Sequence, residues 1–326
     1  MVAIQRVMAT ASIIAIASVG FAAPAASIAP FAGASVFSVS GTETFHPPPF
    51  PDQLLPALFA GDVVDRISYP AAIFGMDASI AVAVSGLTAA VARTPGPIIL
   101  AGFSQGAIAV AYEKKRVMSL PADQRPATDR LTFVTLGDPT GPGGILRFLP
   151  FSVPLLDLTP FTPPDTPYDS VIVNGEYDGW GDFPDRPWNL ISLANALLGI
   201  AYVHGRYETI PGGLDLTTVP VNNVTLTTNV LGGTTTSYLI PTPNLPLLQP
   251  LRDIGVPTPI VDALQAPLRP IVDAGYTRND VKSPAVQPPS LIPGAARAVG
   301  RGQQRTAAPA APKRAAAAVR RSPAAA

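Results

Sequence analysis

The chain has 326 residues, 47% of them hydrophobic, with no net formal charge, two histidines and no cysteine. That much apolar side chain excludes a disordered protein, the missing thiols exclude disulfide and thiolate chemistry, and two histidines exclude a multi-histidine metal site. Neutrality hides an asymmetry: all 22 acidic residues lie at or before Asp280, while eight Lys or Arg follow it, so the surplus of basic charge sits in a tail and argues against a nucleic-acid-binding domain.

In chain order, Arg6 leads into an uncharged apolar run from Val7 to Ala22, and residues 1–25 read as a secretory signal peptide or an uncleaved N-terminal anchor. Either implies an exported, secreted or envelope-associated body. A first strand spans Ala34 to Ser40 and ends in Gly41-Thr42, with His46 beyond it in the rigid loop Phe45-His46-Pro47-Pro48-Pro49, lining a cleft or facing water. Val63 to Tyr69 reads as a second strand, and Asp77 to Arg93, acidic at its start and basic at its end, as a helix.

The uncharged run from Ile98 leads directly into Gly102-Phe103-Ser104-Gln105-Gly106. This is strand, tight turn and helix, the helix running to Met118 with its positive charges at the C-terminal end. Arg130 to Leu136 is a further strand, stopped by Gly137-Asp138-Pro139. Residues 140–168 are rich in proline yet apolar, as in a lid over a greasy site or a surface loop packed on the core. Ser170 to Asn174 is a strand followed by Gly175-Glu176-Tyr177-Asp178, and Trp188 to Ile200 an apolar helix leading to His204. Val219 to Asn229 and Thr234 to Ile240, with Gly232-Gly233 between them, predict a β-hairpin. Residues 241–276 read as proline-broken helical turns. From Val281 to Ala326 the composition is Ala, Pro and Arg, a disordered basic tail that is solvated or tethers the protein to the envelope or to anionic lipid.

Strands and helices alternating at this spacing predict an α/β fold with a mainly parallel sheet covered on both faces. On the turn at Gly102 to Gly106, Ser104 is the candidate nucleophile, its Oγ projected above the sheet. A serine hydroxyl needs a base, and in elbow-type architectures the acid and then the histidine follow the serine; His204 is the histidine downstream. Asp178 directly follows a strand at the sheet's carboxyl edge and is the candidate acid, with Asp182 as the alternative and Asp138 behind both. The backbone amide of Gln105 supplies one oxyanion donor, and Gly41 or Thr42 after the first strand the second.

The segments Gly102 to Ala107, Tyr177-Asp178-Gly179-Trp180-Gly181-Asp182-Phe183-Pro184, Asn189 to Gly205 and Thr234 to Leu248 together resemble the PE-PPE domain, the cutinase-like serine hydrolase module of mycobacteria and their relatives. The resemblance covers residues 34–278. It implies an α/β-hydrolase fold, to which the predicted hairpin and helical turns add an extra C-terminal segment, and a Ser104, Asp178, His204 triad; with two histidines and no carboxylate cluster, no cofactor and no metal are expected. It also implies fatty-acyl ester substrates cleaved through an acyl-enzyme. Family members that acylate trehalose glycolipids make acyl transfer the alternative, and a non-catalytic envelope protein is the third reading. The expected partners are a lipid or fatty ester and a glycolipid acceptor, with envelope or membrane-surface association through the N-terminus or the tail, and no nucleic acid.

Overall fold

The computed structural model describes residues 33–44, 47–209 and 213–280. The signal or anchor segment, Phe45-His46 and the basic tail lie outside the described residues.

Among the described residues seven strands form a single sheet: β1 (Ser35–Val39), β2 (Val63–Arg66), β3 (Ile98–Phe103), β4 (Leu131–Leu136), β5 (Asp169–Gly175), β6 (Val224–Thr228) and β7 (Thr234–Ile240). Their order is β2-β1-β3-β4-β5-β7-β6. All neighbours pair in parallel except β6 and β7, which form the antiparallel hairpin at one edge. The hairpin is therefore part of the central sheet, with β7 seated directly beside β5. Its first arm is shorter than its Thr and Val content suggests. Residues Leu216–Thr218 and Val221–Asn223 form 3₁₀ turns instead, because Asp215 caps one with its side chain and Pro220 starts the other.

The helices are α1 (Pro51–Leu54), α2 (Met76–Arg93), α3 (Gln105–Ser119), α4 (Leu190–Tyr202), α5 (Gln249–Asp253) and α6 (Thr258–Asp273). One sheet face is covered by α2 and α3, whose apolar stripes bury Ile80, Leu87, Ile108 and Val117 against Phe37, Leu100 and Phe133. The other face packs Ile99, Val134, Leu136 and Val173 against Leu54, Leu55, Phe59, Tyr207 and Leu214. That second cover is built from short turns and one four-residue helix, since Pro47 to Pro49, Pro51 and Pro56 deny the chain a long run of helical N–H donors. A third cluster packs Val261 and Val272 of α6 against Tyr177, Leu245, Leu248 and Tyr276. Unlike the broken turns expected there, α6 runs 16 residues through Pro267 and Pro270.

Between β1 and β3 the strand order reverses: the chain leaves β1 for β2 on one side and returns to β3 on the other. In open parallel sheets such a switch point opens a crevice beyond the carboxyl ends of the strands. The loops carrying Gly41-Thr42 and Ser104 both start there.

Candidate active site

Ser104 sits at the junction of β3 and α3 with φ 54° and ψ −114°, a left-handed backbone that is costly for a residue with a Cβ. The flanking glycines explain how the turn closes. A Cβ on Gly102 would run into the backbone of Gly106, and one on Gly106 into the carbonyl oxygens of Val39 and Ser40. The helix can therefore start directly over the ends of β1 and β3, leaving the serine at the apex.

His204 opens the 3₁₀ turn His204–Thr209 after α4. Its Nε2 lies 2.8 Å from Ser104 Oγ, and its Nδ1 lies 3.0 and 2.9 Å from the two carboxylate oxygens of Asp178. The imidazole stacks on the Phe103 ring, centroids 5.1 Å apart at 21°. Gly137 lets it approach, since a Cβ there would come within 2.7 Å of His204 Cε1. Ser104, His204 and Asp178 are thus joined in one hydrogen-bonded row.

Asp178 is fully buried and kept by two further hydrogen bonds. Its Oδ1 accepts the Trp180 N–H at 2.8 Å, an Asx turn that fixes its side chain locally. Its Oδ2 accepts the Tyr207 hydroxyl at 2.8 Å. The preceding residue, Tyr177, holds a left-handed φ of 65° and is pinned from below by the third apolar cluster, with its hydroxyl donating to Asp273 at 2.5 Å.

Tyr207 does two jobs, since its oxygen also accepts the Gly175 N–H. Burial, then the neighbouring Asp178 charge, pushes its hydroxyl well above the ordinary tyrosine range, so it remains a donor. Sequence reasoning missed it. The available signal was its position three residues after His204, because a 3₁₀ turn eclipses i and i+3.

Asp182 does not reach His204. Its Oδ1 pairs with Arg278 Nη1 at 2.7 Å, and its Oδ2 accepts the Tyr177 N–H at 2.7 Å. Burial raises its carboxyl to about 6, against the opposing pull of Arg278. Asp138 is also turned elsewhere, its Oδ1 accepting the N–H and hydroxyl of Thr140 at 2.8 and 2.7 Å. The structure thus selects Asp178 as the carboxylate next to the histidine.

Gln105 is the first residue of α3, so its N–H has no acceptor within the helix. Its buried side chain has a separate structural part, donating from Nε2 to Ala72 O at 2.8 Å and accepting from Ser79 Oγ at 3.2 Å. Gly41 lies alongside the elbow: a Cβ there would be 3.3 Å from Ser104 Cβ. The Tyr69 hydroxyl lies 2.8 and 3.1 Å from the carbonyl oxygens of Ser40 and Gly41. Because C=O and N–H point oppositely across a trans peptide, the N–H groups of Gly41 and Thr42 are turned away from Tyr69.

A cavity of about 370 Å³ opens at the row, lined by Thr42, Ile73, Met76, Phe103, Ser104, Gln105, Ile108, Pro139, Leu156, Leu158, Trp180, Ile200, His204 and Tyr207 among others. It is mostly apolar apart from the row itself. Leu156 and Leu158 come from the proline-rich stretch expected to be a lid or a packed loop; it forms a wall of the cavity, and Leu158 is also buried in the core. Among the described residues no group of three His, Asp or Glu side chains is placed to hold a metal ion.

The sequence matches the PE-PPE domain model over residues 60–277. Three relatives, all from Mycobacterium tuberculosis, are similar to it. Esterase PE16 is 43% identical over 58% of this chain and 36% of its own length. Diacyltrehalose acyltransferase Chp2 is 39% identical over 56% of this chain and 52% of its own. The uncharacterized PPE family protein PPE63 is 36% identical over 68% and 47%. The chain spans about half the length, or less, of these relatives.

Proposed function

Because the chain belongs to the PE-PPE domain family, we propose that it is an exported serine hydrolase that cleaves fatty-acyl carboxylic esters through an acyl-enzyme. The observation that carries this reading is the row Ser104 Oγ, His204 Nε2, His204 Nδ1 and Asp178, joined at 2.8 and 2.9 Å.

His204 Nε2 takes the proton of Ser104 as Oγ bonds to the acyl carbon. The carbonyl oxygen becomes an oxyanion, which the N–H of Gln105 and that of Thr42 or Gly41 stabilise. Collapse breaks the ester C–O bond, and the imidazolium returns its proton to the departing alcohol. Water, deprotonated by His204, then attacks the acyl-enzyme, releasing the acid and regenerating the serine. Asp178 stays ionised and holds Nδ1–H, keeping Nε2 free to accept. The apolar cavity is suited to an acyl chain. No step calls for a cofactor.

Acyl transfer is the second reading, favoured by the likeness to an acyltransferase. In it the deacylating hydroxyl belongs to a trehalose-type glycolipid of the envelope. An exported location, and attachment through residues 1–25 or the tail, complete the proposal; mass spectrometry of the mature protein from cell fractions reads the processed end.

Purified protein should label with a fluorophosphonate at Ser104 and hydrolyse a short-chain chromogenic ester. Ser104→Ala should abolish labelling and lower turnover by about a thousandfold or more. With a lipid donor, free acid alone supports hydrolysis, and acyl exchange onto an added trehalose glycolipid supports transfer. Neither label nor turnover would leave the non-catalytic envelope protein.

A further inference from the structure

We propose that the apolar rim around the mouth of the Ser104 cavity docks on a lipid surface, so that the substrate enters from a lipid phase instead of from water. The inference rests on the acyl-ester reading of the site and adds to it where that ester is met.

Large apolar side chains stand in solvent at the mouth: Phe74 is 63% exposed, Leu155 76% and Leu197 52%. Scattered singly such residues mean little, but joined into a patch they mark an interaction surface. Here the loops of Phe74 and Leu155 are joined. Met76 donates its N–H to Leu156 O at 3.0 Å and Asp77 to Asp157 O at 2.9 Å, which ties the Phe74 loop side by side with the Leu155 loop. Each exposed residue is next to one that faces inward, since Ile73 and Leu156 line the cavity. On α4, Leu197 lies one turn before Ile200, another lining residue.

The patch is preformed. Gln105 and Ser79 fasten Ala72, and the bridge between Val153 and Leu158 closes the other loop. Its apolar stretches, residues 67–76, 148–156 and 190–202, contain no Asp, Glu, Lys or Arg, and Asp77 and Asp157 border it where the two loops are tied. A protein partner would seal the entrance to Ser104, whereas a lipid phase both covers the rim and delivers an acyl chain into the cavity behind it. The burial of exposed Phe and Leu in acyl chains is the driving force.

The test uses the chain without residues 1–25, whose apolar run would enter a bilayer by itself, and uncharged phosphatidylcholine vesicles, which give the basic tail no anionic lipid to attract it. Wild type and Ser104→Ala should co-sediment with the vesicles equally. The double variant Phe74→Ser, Leu155→Ser should partition about tenfold more weakly or worse. Its melting temperature should stay within about 3 °C of wild type, and its kcat/KM on a soluble short-chain ester within about twofold. Val230→Ser, at a 93% exposed site in the hairpin turn, should bind vesicles as wild type does. Wild type that does not co-sediment, or a double variant that binds undiminished, overturns the proposal. So does a lipid-free dimer that the double variant dissociates, which would assign the patch to a second copy of the chain. Vesicle binding without ester turnover would instead defeat the catalytic reading and leave the docking surface standing.

Discussion

At the scale of single residues, the site depends on how Asp178 is held as much as on its charge. Two donors besides His204, the Trp180 N–H and the Tyr207 hydroxyl, fill its lone pairs, so the carboxylate has one orientation. Tyr207→Phe would leave the Gly175 N–H without a partner in a buried place and strip Asp178 Oδ2 of one of its two donors, His204 remaining. The expected loss is about 1–3 kcal/mol in urea unfolding, with a lower kcat on a short-chain ester and little change in KM. An unaltered unfolding midpoint would show that the two contacts carry nothing. Asp178 was readable from its place after a strand, but its advantage over Asp182 was not. Four positions apart in a Gly-rich turn, either could reach a histidine until the backbone turns one of them toward Arg278.

At the scale of elements, the elbow is a packing problem solved by glycine. Gly106 lies where α3 crosses the end of β1, and a Cβ there meets the carbonyl oxygens of Val39 and Ser40. Gly96, with φ +84° and open space around it, needs only its backbone freedom. Gly106→Ala should therefore destabilise by about 3 kcal/mol and disrupt catalysis, while Gly96→Ala should cost about 1 kcal/mol and leave turnover intact. Equal losses in chemical denaturation would contradict this assignment. The motif was legible because its chemistry restricts residue type. The continuity of α6 was not legible, because two prolines argue locally for a break and the burial of its own Val261 and Val272 against Tyr177, Leu245, Leu248 and Tyr276 overrides them.

For the whole molecule, three apolar clusters replace disulfides, and the third also supports the acid turn through Tyr177. Asp182 and Arg278 sit at that junction and couple it to pH. Since burial raises the Asp182 carboxyl from 3.8 to about 6, the folded chain holds a proton between those values that the unfolded chain has lost. Its stabilising effect is complete below the lower value and fades as pH rises through the upper one. Between pH 7 and pH 5 this group should add roughly 1 kcal/mol to stability. Asp182→Asn, neutral throughout, should lose that gain relative to wild type in paired unfolding curves. Parallel pH profiles for the two proteins would refute the coupling.

What the sequence determined alone was everything set by local residue type: the strand and helix alternation, the glycine-flanked serine, the histidine that follows it and the Thr-rich hairpin. Tertiary structure decided what depends on distant segments meeting. It chose Asp178 over Asp182, recruited Tyr207 and Trp180, drew the hairpin into the sheet, and gathered the scattered apolar loops into one cavity with an exposed rim. Hydrophobic periodicity and turn chemistry act over a few residues and are written in order along the chain. The direction in which a buried carboxylate points is fixed only when the groups around it compete for its oxygens.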